Sequence, residues 1–79
     1  MISPPLCRAA RGWLGWSQQR LADESGVGLS TIRGFEAGRH KPIGSNMRSL
    51  EHALEDAEIV FVVDEEGRAI GLSGPLAAE

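Results

Sequence analysis

Between Ser17 and Gly38 the chain reads SQQRLADESGVGLSTIRGFEAG, and the sizes of its side chains at fixed offsets leave few folds open. Leu21 and Ala22 mark the inner face of a short helix, and Ala22 is small where a second helix must cross closely. Gly26 stands at the bend, where the backbone needs φ > 0 and a side chain is penalised. Val27 plugs the corner, and Ile32 and Phe35, three apart, point inward from the second helix. Ser17 caps the first helix, while the second runs over residues 29–37, with Gly28 at its start and Gly38 at its end. A capping box would need Glu or Gln where Arg20 stands. A cation there opposes the helix dipole by a few tenths of a kcal/mol. Two readings of Arg20 stay open, a phosphate contact and a solvated arginine.

Small at the crossing, glycine at the turn and apolar at those later offsets is the helix-turn-helix pattern. The segment resembles the Cro/phage-repressor (Xre-like) transcriptional regulators. RAARGWLGWSQQRLA (8–22), the pattern above and FEAGRHKPI (35–43) carry the resemblance, which runs from about Ser3 to Phe61. It implies a mainly α fold, a compact four-helix lambda-repressor-like DNA-binding domain whose third helix enters the major groove.

By the same resemblance, Ser17 and Gln18 contact phosphate or an outer base. Leu29, Ser30, Arg33 and Gly34 take outward positions that read base edges, with Thr31 beside them. Arg39 and Lys41, in the basic loop after the third helix, lie along the sugar-phosphate backbone and add salt-dependent affinity. A salt bridge from Arg11 to Glu36 ties the first helix to the end of the recognition helix and fixes its projection. The chain departs from richer readers of DNA, because Leu29 offers only apolar contact and Gly34 offers none. Arg33 is the sole long donor on that face, so specificity per half-site is modest.

Around this centre the chain falls into order. Ser3-Pro4-Pro5 opens a first helix to about Leu14, with Gly15 as its stop. Cys7, Ala10 and Leu14 share one face, which makes Cys7 a small core residue. Trp16 packs under the following turn, and Trp13 is partly exposed. Ser45 caps a fourth helix to about Ala57, and Met47, Leu50, Leu54 and Ala57 form its inner stripe, with His52 outside it. Residues 1–57 thus form the DNA-binding domain.

At Glu58 the period changes. EIVFVV, the turn Asp64-Glu65-Glu66-Gly67 and a return from Arg68 to Leu72 make a β-hairpin over residues 58–72. Ile59, Val60, Phe61, Val62 and Val63 are apolar without alternation, more than one face of a two-stranded ribbon can bury. This run is the candidate dimerisation element, pairing with a second copy. The competing reading folds the hairpin back on the fourth helix. Residues 73–79 read as a disordered tail.

The 79 residues carry a net charge of −3, which at first disfavours nucleic acid, but the charge is divided. Residues 1–50 hold seven Lys or Arg against three acids, and residues 51–79 hold eight acids against Arg68. A basic half facing phosphates and an acidic half facing away is the simplest arrangement. A single cysteine and the lack of a long apolar run or secretory signal fit a cytoplasmic protein with no membrane contact. No metal or cofactor set and no catalytic constellation stands at a useful spacing, so an enzyme is not expected. Two functions compete. One is a sequence-specific DNA-binding regulator, a homodimeric repressor on an inverted-repeat operator. The other is an antitoxin-like module whose C-terminal third binds a toxin while the protein represses its own promoter. With no ligand-binding domain in view, a signal is expected to act through dimerisation, a partner protein or proteolysis.

Overall fold

The structure, a computed structural model, describes residues 1–76. It contains α1 (Pro4–Leu14), α2 (Gln18–Ser25), α3 (Leu29–Glu36), α4 (Gly44–Asp56), β1 (Val60–Val63) and β2 (Ala69–Ser73). Four helices followed by an antiparallel hairpin match the architecture expected from the sequence. Ser3 caps α1 by accepting the Leu6 amide, and Ser17 caps α2 by accepting the Arg20 amide at 2.9 Å. Gly15, Gly26 and Gly38 end α1, α2 and α3 with φ of 70°, 76° and 75°, a region open to glycine at little cost.

The core gathers one face from each helix: Cys7 and Ala10, Leu21 and Ala22, Ile32 and Phe35, and Met47, Leu50 and Leu54, with Val27 at the corner. α2 packs against both α3 and α4, and α1 against α3. This crossing holds α3 by its inner face and leaves its outer face open.

Several expectations change. Ser45 does not cap α4. The cap is Ile43, in extended backbone, and the helix starts at Gly44 with no side-chain cap bond. The ladder opens with the Met47 amide donating to Ile43 oxygen at 2.9 Å. Pro42 is buried and Ile43 after it is extended, so the chain enters the helix at Gly44, one residue before Ser45.

The hairpin packs on α1 through β2, not back along α4. Ile59 is 2% exposed and belongs to the protein's own core, so it cannot serve as a dimer contact. Phe61 also turns inward, onto the core with Leu72, its register partner. The physical reason is the exit from α4. Glu58 takes φ 73°, and the Ile59 amide returns to Leu54 oxygen at 3.1 Å, which turns Ile59 under the helix. Val60, Val62, Val63 and Ile70 remain exposed, and a register irregularity between Val62 and Val63 puts Ile70 outside the ladder pairs.

The expected tail also changes. Ser73 ends β2, and Gly74 to Leu76 continue across α1, where Trp13 Nε1 donates to Pro75 oxygen at 2.7 Å. A Cβ on Gly74 would come within 2.6 Å of Trp13 Nε1 and 2.9 Å of Ile59 Cδ1, so glycine is what lets the segment lie so close. Residues 77–79 of the expected tail lie outside the described residues.

Candidate nucleic-acid interface

One buried carboxylate organises the interface. Glu36, the last residue of α3, is 4% exposed and makes four side-chain hydrogen bonds. Its Oε1 accepts Arg11 Nη2 at 2.6 Å and Gln18 Nε2 at 3.0 Å. Its Oε2 accepts Arg11 Nε at 2.8 Å and Cys7 Sγ at 3.1 Å. Arg11 Nη1 also donates to Trp16 oxygen at 3.0 Å, and Arg8 donates to the Glu36 carbonyl. Three elements, α1, the α1–α2 turn and the head of α2, are thereby referred to the end of α3.

The protonation states follow from this geometry. Burial works to raise the Glu36 carboxyl, but the hydrogen bonds from Arg11, Gln18 and Cys7 outweigh it and hold the group below the usual carboxylate range. The hydrogen bond to Glu36 pushes Arg11 further up, so the pair stays charged. Burial first, and then the hydrogen bond to Glu36, raise the Cys7 thiol, which leaves it protonated and unreactive. The expected Arg11–Glu36 bridge is thus present as a two-point contact. Such a pair is weak evidence for net stability and better evidence for orientation.

The sequence-derived contact residues divide into two groups. Ser30, Arg33, Arg39 and Lys41 are exposed on or just beyond α3, and no ion pair involves the three cations among the described residues. Ser17 is exposed at the head of α2, its hydroxyl engaged as the cap, and Thr31 is half-exposed. The end of α3 is a Schellman turn, with Gly38 amide to Phe35 oxygen and Arg39 amide to Gly34 oxygen, both at 2.9 Å. The backbone of Arg39 is therefore fixed to the helix rather than to a loose loop.

The second group is placed differently. Gln18 has committed its amide nitrogen to Glu36, leaving its carbonyl oxygen as the group able to face outward. Leu29 is half-buried against the core, a partial anchor for the start of α3. Gly34 does not point outward: it is buried, and a Cβ there would run into the His40 imidazole. Arg20 is engaged within its own helix, stacked 4.8 Å above the Trp16 ring and paired with Glu24 at 2.9 Å.

Reading the sequence missed the roles of Cys7, Arg8 and Gln18. Cys7 and Arg11 are four apart on one face of α1, a spacing that places both side chains before the same partner. That signal was available. The reach of Gln18 to Glu36 depends on the turn between α1 and α2 and had no local signature.

A recognition helix held by its inner face, with cations along and beyond it, defines a helix-turn-helix DNA-binding domain. Comparison with known proteins agrees. The HTH_3 family of helix-turn-helix domains matches residues 8–55. The chain is also 38% identical over 64 residues to an uncharacterised HTH-type transcriptional regulator of Methanothermobacter thermautotrophicus (strain Delta H), covering 78% of this chain and 93% of the relative. The chain belongs to the Cro/C1-type (Xre-like) helix-turn-helix family of DNA-binding transcriptional regulators. No helix among the described residues is long and apolar enough to cross a membrane.

Proposed function

We propose that this protein is a sequence-specific repressor that acts in the cytoplasm as a homodimer, placing α3 of each copy in the major groove of an inverted-repeat operator. The observation that carries the reading is the outer face of α3. Ser30 and Arg33 stand exposed on a helix whose end is pinned by Glu36, and Arg39 and Lys41 continue the same surface without acidic partners among the described residues. In this reading Arg33 reads a guanine or grips a phosphate, and Ser30 and Thr31 pair with adjacent bases or phosphates. Leu29 touches a thymine methyl with the part of its surface that stays open. Ser17, the Gln18 carbonyl side, Arg39 and Lys41 set register on the backbone. Two such helices about 34 Å apart meet successive major grooves.

The dimer reading rests on the outer hairpin face, where Val60 is 60% and Ile70 63% exposed beside Val62 and Val63. A second copy is the occupant that covers this face in both chains at once. The same face also favours a second reading, in which a toxin-like partner protein covers it and the pair represses its own promoter.

The test is fluorescence anisotropy with duplex from upstream of the protein's own gene and with scrambled duplex, across a salt series. Tight binding to the first alone, falling steeply with salt, supports the repressor reading and counts the phosphate contacts. Equal weak binding to both sinks autorepression and moves the balance to the partner-protein reading.

A further inference from the structure

We infer that the cleft between the end of α3, the first residues of the chain and the hairpin binds a small anionic amphiphile, a monocarboxylate carried on an aliphatic or aromatic body. The cleft measures about 590 Å³, within the range of small-molecule sites. Its floor is apolar, built from Ile2, Pro4, Phe35 and Ala69. Its rim carries Lys41 on the α3 side, beside the His40 imidazole, and Arg68 on the hairpin side, and no carboxylate among the described residues lines it. Arg68 is already held by Asp64 at 3.0 Å and Glu66 at 2.6 Å, and the Met1 ammonium, also at the cleft, is paired with Glu51 at 3.6 Å, which leaves Lys41 as the rim charge without an acidic partner among the described residues. An apolar floor beneath one uncompensated ammonium selects a ligand with an apolar body and one negative charge, and it disfavours a cation of the same shape.

The position gives the site a consequence. Phe35 belongs to the recognition helix, and Lys41 is one of the cations assigned above to the DNA backbone. A carboxylate paired with Lys41 takes that charge from a phosphate, so ligand and DNA compete. This consequence rests on the DNA-binding reading, whereas the site itself does not. It would supply a route by which a small molecule reaches the DNA-binding surface.

The experiment is an amide NMR titration of the whole protein with octanoate, octanol and octylammonium. Octanoate is expected to shift Ile2, Phe35, Gly38, Lys41 and Ala69 along one saturating curve, with octanol weaker and octylammonium weakest. Lys41→Gln should weaken octanoate by up to about fivefold and leave octanol unchanged. The proposal is overturned if octylammonium binds as tightly as octanoate. It is equally overturned if nothing shifts, or if the shifts fall on Val60, Val62 and Ile70, where the exposed hairpin face would be acting as a nonspecific apolar surface. Coupling is read by duplex binding with saturating octanoate against equal acetate: weaker binding supports it and equal binding overturns it. The titration contains no DNA, so a failed site and a failed DNA reading give different results.

Discussion

Arg11 and Glu36 are joined by two hydrogen bonds yet are unequally buried, with 17% of the arginine side chain exposed and 2% of the carboxylate. The guanidinium can turn to water if its partner is lost, and the carboxylate cannot. The two halves of the pair therefore fail differently when removed.

Arg11→Met strands the carboxylate and should cost about 3 kcal/mol near neutral pH, while Glu36→Gln should cost less, about 1–2 kcal/mol. The pH dependence should also reverse. In the native protein the Glu36 carboxyl is lowered, so its contribution is present above the ordinary carboxylate value of 4.5 and is lost as pH falls below that value. In Arg11→Met, burial prevails and the carboxyl rises, so the contribution is present in acid and lost as pH rises. Urea midpoints from about pH 2.5 to about pH 7 measure both slopes, the native one below the ordinary carboxylate value and the variant's above it. Identical slopes for the two proteins would mean that the bridge is not formed in solution.

The relation of Gly34 to His40 gives a second prediction. Gly34 sits inside α3 with helical backbone, where alanine should gain roughly 1 kcal/mol of helix propensity. The three atoms nearest to a Cβ there all belong to the His40 ring, the far end of an exposed side chain. Gly34→Ala alone should be close to neutral, because the ring must swing away. In a His40→Ala background the same change should stabilise by about 1 kcal/mol, and the double-mutant cycle should show the difference as coupling. A full gain in the single variant would show that His40 does not rest on Gly34.

What could be read from the sequence was local or periodic. The caps at Ser3 and Ser17, the glycine stops at Gly15, Gly26 and Gly38 and the inner face from Leu21 to Phe35 all follow from offsets of a few residues. The Arg11–Glu36 bridge is 25 residues apart and was expected only through family resemblance. Ile59 was misassigned because an unbroken apolar run carries no period to say which side chains turn inward. Its burial is decided by the left-handed turn at Glu58, which the sequence does not mark with glycine. The passage of Gly74 and Pro75 over Trp13 joins residues 62 positions apart, and a C-terminal stretch of mostly small residues without a helix or strand period reads equally well as a free tail. Ser45 has the side chain of a cap, but α4 starts at Gly44 behind the extended Ile43, without a side-chain cap bond.

In the proposed reading Arg33, exposed on the outer face of α3, is the discriminating contact. Arg33→Ala should weaken binding to a cognate site by about 1–3 kcal/mol and change scrambled DNA little. Arg39→Ala should weaken both DNAs together and reduce the salt slope by about one phosphate. Anisotropy on the two duplexes separates the effects. If Arg33→Ala leaves cognate binding intact, the assignment of the reading face is wrong.

The hairpin separates core from exposed face within one apolar run. Ile59→Ala removes a fully enclosed side chain and should cost about 2–5 kcal/mol in denaturant unfolding, whatever the state of assembly. Val60→Asp with Val62→Asp changes two exposed side chains on the outer face and should leave the helical circular dichroism intact. If the proposed homodimer forms through this face, light scattering should give the mass of two chains for the native protein and of one for the double variant. A native dimer that survives both aspartates would remove the hairpin from the interface and require the operator-bound pair to associate through another surface. Loss of helical signal together with the dimer would instead show that the outer face contributes to the fold of each chain, against the exposure seen at Val60 and Val62.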